Sequence, residues 1–419
     1  MKHTKLLLLV VLFLASCAAP ATLAPTQIFT PEPTATQAPT QTPSPTPTLV
    51  PTPTQIGGGA GRLIFELDSA QFSKIFPDLK GEVNVFTANM DGTNLVPITD
   101  GMKDYNYVEN ISPDGTKVLI DSSSKEFFEG DRNDALYLID LTQTNSGPVK
   151  LAGGFLHDRY YEVQGKIAKF FGKNQVIYIG QGVDGYGIYM VNIDGSNPKT
   201  ISSNALGITP VEILAVDSER VYWGSAIQDS IGNFGLAIRS SSLDGSSQSK
   251  LMSNGTQVIS TSVAFSADGS MIAWVEEATP TFHHNYLNIA SVSDINSPEQ
   301  LSMLTGQTIL NWWPDGSKIL VLDLGSILLQ KIWNLDTTSN LFGIYEVSSS
   351  SPLQVTNYHL SDILIKNYGA WLYDFSPDGQ HILISSPVDD GTVSSLDFAT
   401  VKFDNVLNGL HPTGVHWLP

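Results

Sequence analysis

Four stretches decide the fold. Ser112-Pro113-Asp114-Gly115 leads into Lys117-Val118-Leu119-Ile120, and Ser266-Ala267-Asp268-Gly269 into Met271-Ile272-Ala273-Trp274-Val275. Trp313-Pro314-Asp315-Gly316 leads into Lys318-Ile319-Leu320-Val321-Leu322, and Ser376-Pro377-Asp378-Gly379 into His381-Ile382-Leu383-Ile384. Proline presets φ, aspartate bonds nearby backbone, and glycine takes φ > 0, so each is a tight turn feeding an apolar strand. Two degraded copies lie between them: Gly172-Lys173-Asn174 before Val176-Ile177-Tyr178-Ile179, and Asp217-Ser218-Glu219 before Val221-Tyr222-Trp223. A second element follows. Val83-Asn84-Val85-Phe86 precedes Asp91-Gly92, Ile188-Tyr189-Met190-Val191 precedes Asp194-Gly195, and Leu236-Ala237-Ile238 precedes Asp244-Gly245. Asp-Gly between strands is a hairpin signal.

Each repeat therefore reads as a four-stranded antiparallel meander, with no amphipathic helix of ordinary length between repeats. Radial repetition of such units is the propeller's way of protecting sheet edges. The expected fold is all-β: a β-propeller over residues 60–419. The post-turn strand occurs seven times if Leu63-Ile64-Phe65 is included, so seven blades are expected, with six or eight left open. That first copy lacks a preceding inner strand. Gly414-Val415-His416-Trp417-Leu418 is the candidate to supply it and so close the ring.

The strand, Ser-Pro-Asp-Gly turn and strand pattern resembles the WD40-like repeats of the TolB-type propeller, over residues 61–419. In that family an α/β domain precedes the propeller. Here a Pro/Thr-rich segment stands in its place, so the resemblance implies the fold and not the Tol–Pal partnership.

The N-terminus has its own logic. Lys2 and Lys5 precede the apolar run Leu6 to Leu14, and Leu14-Ala15-Ser16-Cys17 follows. This is a signal-peptide pattern, too short to span a membrane, and its last four residues resemble the bacterial lipoprotein box. The resemblance implies cleavage after residue 16 and a diacylglycerol on the Cys17 sulfur. Residues 17–59 then form a tether, as in Pro43-Ser44-Pro45-Thr46-Pro47-Thr48, with Gly57-Gly58-Gly59 as a flexible joint. In extended polyproline II, at about 3.1 Å per residue, this segment reaches roughly 120 Å. The expected location is extracytoplasmic, lipid-anchored to a bacterial membrane.

Composition narrows the partners. Removing residues 1–16 leaves 20 basic against 41 acidic residues, a surface that repels phosphate backbones and excludes a nucleic-acid role. Cys17 is the single cysteine, so no intramolecular disulfide can form. A monomer is expected.

In a meander the first-to-second and third-to-fourth turns share one end of the blade. Here these are the short Asp-Gly turns. The second-to-third loops and the crossovers gather at the other end. They are the long segments, such as 122–134, 153–164, 323–340 and 357–369. Binding residues concentrate on such loops. The candidate ligand-binding residues are Phe127, Phe128, Tyr160, Tyr161, His283, Trp333, Tyr358, His359 and Tyr368. Rings beside Asp and Asn suit a protein, peptide or glycan ligand, because a ring offers a flat apolar face and the polar groups fix orientation. No Gly-x-Ser-x-Gly elbow and no zinc spacing is legible, and adjacent His283-His284 would point apart on a strand. No cofactor, metal or catalytic residue is assigned. The expected function is non-catalytic binding through the long-loop end. The alternatives are a cell-envelope scaffold, or a hydrolase or lyase of extracellular polysaccharide whose carboxylates come from separate blades.

Overall fold

The computed structural model describes residues 61–124, 134–143, 147–153, 166–182, 184–203, 208–228, 234–251, 258–279, 284–304, 308–323, 342–347, 352–357, 371–385, 393–397, 402–407 and 410–419. Among these, 28 strands form five sheets, three of four strands and two of eight, each eight-stranded sheet being two four-stranded meanders joined by one residue pair, Val83 with Tyr105 or Leu236 with Val258. The first blade holds β1 (Arg62–Asp68), β2 (Val83–Asn89) and β3 (Val96–Pro97), with β28 (Gly414–Leu418) as its inner strand. β28 pairs antiparallel with β1, Leu63 opposite Trp417 and Phe65 opposite Val415. The second blade is β4 (Tyr105–Ile111), β5 (Lys117–Ser123), β6 (Ala135–Asp140) and β7 (Val149–Gly153). The third is β8 (Ala168–Phe171), β9 (Gln175–Gly182), β10 (Gly185–Asn192) and β11 (Lys199–Ser203). The fourth is β12 (Pro210–Val216), β13 (Arg220–Gln228), β14 (Phe234–Ser242) and β15 (Gln248–Lys250). The fifth is β16 (Val258–Phe265), β17 (Met271–Thr279), β18 (His284–Ser291) and β19 (Glu299–Leu304). The sixth is β20 (Thr308–Trp312), β21 (Lys318–Asp323), β22 (Phe342–Val347) and β23 (Pro352–Asn357). The seventh is β24 (Trp371–Phe375), β25 (His381–Ser385), β26 (Val393–Asp397) and β27 (Lys402–Val406).

The second strand of a blade is apolar on both faces because each face meets a neighbouring blade. Val118, Leu119 and Ile120 of β5 are fully buried, as are Val176 and Ile177 of β9 and Ile319 and Leu320 of β21. The apolar clusters straddle consecutive blades. One joins Leu119 and Leu136 to Val176, Ile188 and Trp223. A second joins Ile64 and Val85 to Val118 and Ile120. Another brings Leu383 and Val393 of the seventh blade against Leu63 and Phe65 of the first, with Val415 and Trp417 of β28. Inner strands abut in turn: β4 on β8, β8 on β12, β12 on β16, β16 on β20, and β24 on β28. The fold is a β-propeller of four-stranded blades.

The turn boxes owe their residue types to one hydrogen-bond pattern. Ser112 Oγ donates to Asp114 Oδ1 at 2.7 Å and accepts from Lys117 N at 2.9 Å. Asp114 Oδ1 also accepts from Thr116 N and Oγ1. Ser266 with Asp268, and Ser376 with Asp378, repeat the same geometry. These donors hold the Asp114 carboxyl well below the usual range, the Ser112 hydroxyl contributing most. The glycine has two duties. Gly115 sits at φ +66°, and a Cβ there would lie 2.6 Å from the Pro419 carbonyl oxygen. This box is thus pressed against the blade before it, and Gly379 stands in the same relation to Trp313, whereas Gly269 and Gly316 meet Asp217 and Ser266 at ordinary contact distance.

α1 (Ser69–Phe72) is a single turn capped by Asp68, whose carboxylate accepts from Gln71 N at 3.0 Å. The Gln71 side chain in turn clasps the His411 backbone at both its N–H and its carbonyl, tying the C-terminal segment to the first blade.

Candidate functional site

Two polar features stand out among the described residues: a belt of charged side chains on and beside the inner strands, and a cleft at the short-turn end.

The belt arises from strand irregularity. The β4 ladder skips at Glu109, between Val108 and Asn110, and the β12 ladder skips at Leu214, between Ile213 and Ala215. A bulge leaves backbone groups outside the ladder. Charged side chains from neighbouring blades take up such groups. Lys169 Nζ donates to the Leu214 carbonyl at 2.8 Å, and Lys166 Nζ to the Val108 carbonyl at 2.6 Å. Glu66 Oε1 accepts from Val108 N, and Glu109 Oε2 from Ile167 N, both at 2.8 Å. Asn110 Oδ1 accepts from Phe170 N at 3.2 Å. The first four blades are therefore linked in succession by charge-assisted bonds, which are stronger than neutral ones.

Glu212 on β12 differs from these. Its carboxyl is buried, and Oε1 has no hydrogen-bond partner. Burial pushes Glu212 up to about 7, with the Lys169 ammonium opposing the shift. Burial brings Lys169 down to about 8, with Glu212 opposing and Lys166 reinforcing. Acid and base with values near neutrality are what proton-transfer catalysts use, and structural pairs show the same shifts. Lys169 is already committed to the Leu214 carbonyl, which marks this pair as part of the seam.

The cleft lies where the fourth and fifth blades meet, and its volume is about 510 Å³. One wall is the degraded turn Asp217-Ser218-Glu219 with Arg220 and Tyr222, and the other is the Asp268-Gly269-Ser270 turn. Ser240, Ser249, Leu251, Ser291, Val292 and Ser293 complete the lining. Arg220 is held in place: Nε and Nη2 donate to Ser240 Oγ at 3.1 and 2.8 Å. Asp217 Oδ1 accepts from the backbone of Glu219 and Arg220, and Oδ2 from the Tyr222 hydroxyl at 2.7 Å. Burial works to raise the Asp217 carboxyl, but these hydrogen bonds, that of Tyr222 foremost, bring it below its ordinary value. Tyr222 is pushed far up, by burial first and then by its bond to Asp217. The Tyr222 ring stacks on Phe265 at 5.1 Å, which fixes the seam beneath the cleft.

Residues Phe127, Phe128, Tyr160, Tyr161, His283, Trp333, Tyr358, His359 and Tyr368 lie outside the described residues, as does Cys17. The belt and the cleft were not anticipated from sequence. The available signal was charge inside otherwise apolar strands, Lys166-Ile167-Ala168-Lys169 and Val211-Glu212-Ile213.

No family model matches the chain, and no curated protein does. Solved structures are similar to it at low identity. TolB from Acinetobacter baumannii is 13% identical, over 86% of this chain and 67% of its own, with a TM-score of 0.43. The tricorn protease is 13% identical over 86% of this chain and 36% of its own, with a TM-score of 0.49. A prolyl endopeptidase is 12% identical over 69% of this chain and 41% of its own, with a TM-score of 0.40. This chain thus spans well under half the length of the two peptidases. The propeller itself is carried by the strand pairing described above.

Proposed function

We propose that this chain is a lipid-anchored, extracytoplasmic binding protein, with WD40-like repeats of the TolB type, that recognises a protein, peptide or glycan through its long-loop end. The observation that carries the reading is the use made of the charges at the blade seams. Glu66, Glu109, Lys166 and Lys169 hold backbone groups of adjacent blades. Such bonds stiffen a platform. Gly92, Gly115, Gly195, Gly245 and Gly379 of the Asp-Gly turns likewise sit close against the preceding blade, and the long segments are left for display. Scaffolds of this kind display recognition residues on loops. Cys17 holds the platform to the membrane and residues 17–59 carry it outward.

The test is a glycan and peptide array probed with the full chain bearing Cys17→Ser. Reproducible binding that is lost when Trp333 and Tyr358 are both changed to Ala supports recognition at the long-loop end. A blank array points instead to the envelope scaffold, and proteins that co-purify with the lipidated chain become the next object.

A further inference from the structure

We propose that the cleft between the fourth and fifth blades, at the short-turn end, is a second binding site, and that its ligand is polyhydroxylated, a saccharide unit. This is a different site from the long-loop end and does not rest on that reading.

The residue that faces the turn glycine differs from seam to seam, and at the fifth-to-sixth seam it is Ser266, 3.6 Å from the position a Gly316 Cβ would take. At the sixth-to-seventh seam the equivalent place is filled by Trp313, whose Nε1 donates to the Gly379 carbonyl at 3.0 Å and whose ring lies 4.4 Å from that of Phe375. At the first-to-second seam Pro419 fills it, against Gly115. At the fourth-to-fifth seam the place falls to Asp217, whose Cβ lies 3.4 Å from the position a Gly269 Cβ would take. The opening of about 510 Å³ falls in the range of small-molecule sites.

The lining selects the ligand's chemistry. Three carboxylates, Asp217, Glu219 and Asp268, face one guanidinium, so a phosphate or carboxylate ligand is repelled. A divalent cation is also poorly served. Among the described residues no group of three or more His, Cys, Asp or Glu is arranged to hold a metal. The Asp217 and Asp268 oxygens already accept hydrogen bonds from Tyr222, Ser266, Ser270 and the turn backbone. A sugar hydroxyl both donates and accepts. It can give to Glu219 and receive from Arg220, whose orientation Ser240 fixes in advance. Leu251 and Val292 offer apolar surface for the C–H face of a ring.

The experiment uses the full lipidated chain in a detergent free of sugar. Glucose, N-acetylglucosamine and maltose are titrated by saturation-transfer NMR, with inorganic phosphate and calcium chloride as rivals. The expected result is saturable binding of at least one saccharide that neither rival displaces. Ser218→Trp, an exposed position whose new ring fills the cleft, abolishes it. Glu219→Gln, isosteric and on the surface, weakens it about tenfold, the effect of replacing a charged acceptor by a neutral one. Lys74→Ala, at an exposed position of the first blade, leaves it unchanged. Matching melting midpoints show that the variants are folded. Absence of saccharide binding, survival of binding in Ser218→Trp, displacement by phosphate or calcium, or an equal loss in Lys74→Ala would each overturn the proposal.

Discussion

A single glycine carries two constraints that substitution separates. Gly172 is at φ +61° with open space where a Cβ would go, and Gly115 is at φ +66° with the Pro419 carbonyl 2.6 Å away. Alanine at either position adopts a left-handed conformation that costs an L-residue roughly 1–2 kcal/mol. At position 115 the methyl group also meets the Pro419 oxygen, nitrogen and ring Cδ at 2.6, 3.1 and 3.1 Å, and the rigid ring leaves it little room. Gly172→Ala is therefore expected to cost about 1 kcal/mol and Gly115→Ala roughly 2–4 kcal/mol. Urea denaturation of the two variants beside the parent chain checks the order. Equal losses would mean that Pro419 does not press on the second blade's turn.

Between elements, the Lys169–Glu212 pair gives the seam of the third and fourth blades a pH signature. The folded value of Glu212, about 7, lies above the ordinary 4.5, so the folded chain holds that proton more tightly than the unfolded one. Its contribution is full below about 4.5 and is lost as pH rises to about 7. Lys169, lowered from 10.5 to about 8, gives up its proton earlier when folded, so stability recovers as pH rises from about 8 toward 10.5. The turn aspartates, Asp114 among them, lose their contribution only as pH falls below their ordinary 3.8, outside both windows. Glu212→Gln is expected to remove the decline between pH 4.5 and 7. Lys169→Met is expected to extend it above pH 7, because the ammonium that holds the carboxyl down is gone. Unfolding midpoints at pH 5, 7 and 9 test both, and parallel profiles in all three proteins would refute the pairing. β28 makes a second prediction at this scale. It covers the edge of β1 and buries Val415 and Trp417 among Leu63 and Phe65. Deleting residues 414–419 exposes both that edge and that apolar surface. The truncated chain is expected to aggregate or to lose cooperative unfolding, read by light scattering and circular dichroism; an unchanged transition would show that the first blade does not need its C-terminal strand. These elements also divide by how readable they were. Strands such as β5, β17, β21 and β25 are announced by a turn whose chemistry is complete within six residues, so local sequence suffices. The inner strands β4 and β12 carry bulges and charges whose reasons sit on other blades. The cleft is assembled from turns about fifty residues apart, Asp217 on one wall and Asp268 on the other. A residue-by-residue reading sees each of those turns as a turn and has no means of seeing the space between them.

For the whole molecule, the proposal joins a stiff propeller to a long extended tether, and the two parts make separable demands. Anchoring needs only the Cys17 thiol, whereas display needs length. With roughly 3.1 Å per residue, removing thirty residues from within 18–56 shortens the reach by about 90 Å. The strand pairings from β1 to β28 run from Arg62 to Leu418. Cys17→Ser is therefore expected to move the protein from the membrane fraction to the soluble extracytoplasmic fraction with an unchanged melting midpoint. The shortened chain is expected to stay with the membrane and keep that midpoint, while losing access to a large probe, such as an antibody against the propeller, added to intact cells. Fractionation, thermal melting and whole-cell antibody binding on the same three strains separate the demands. Membrane retention of Cys17→Ser would remove the lipid anchor from the reading. Undiminished antibody access in the shortened chain would remove the tether's role in display and leave the anchor standing.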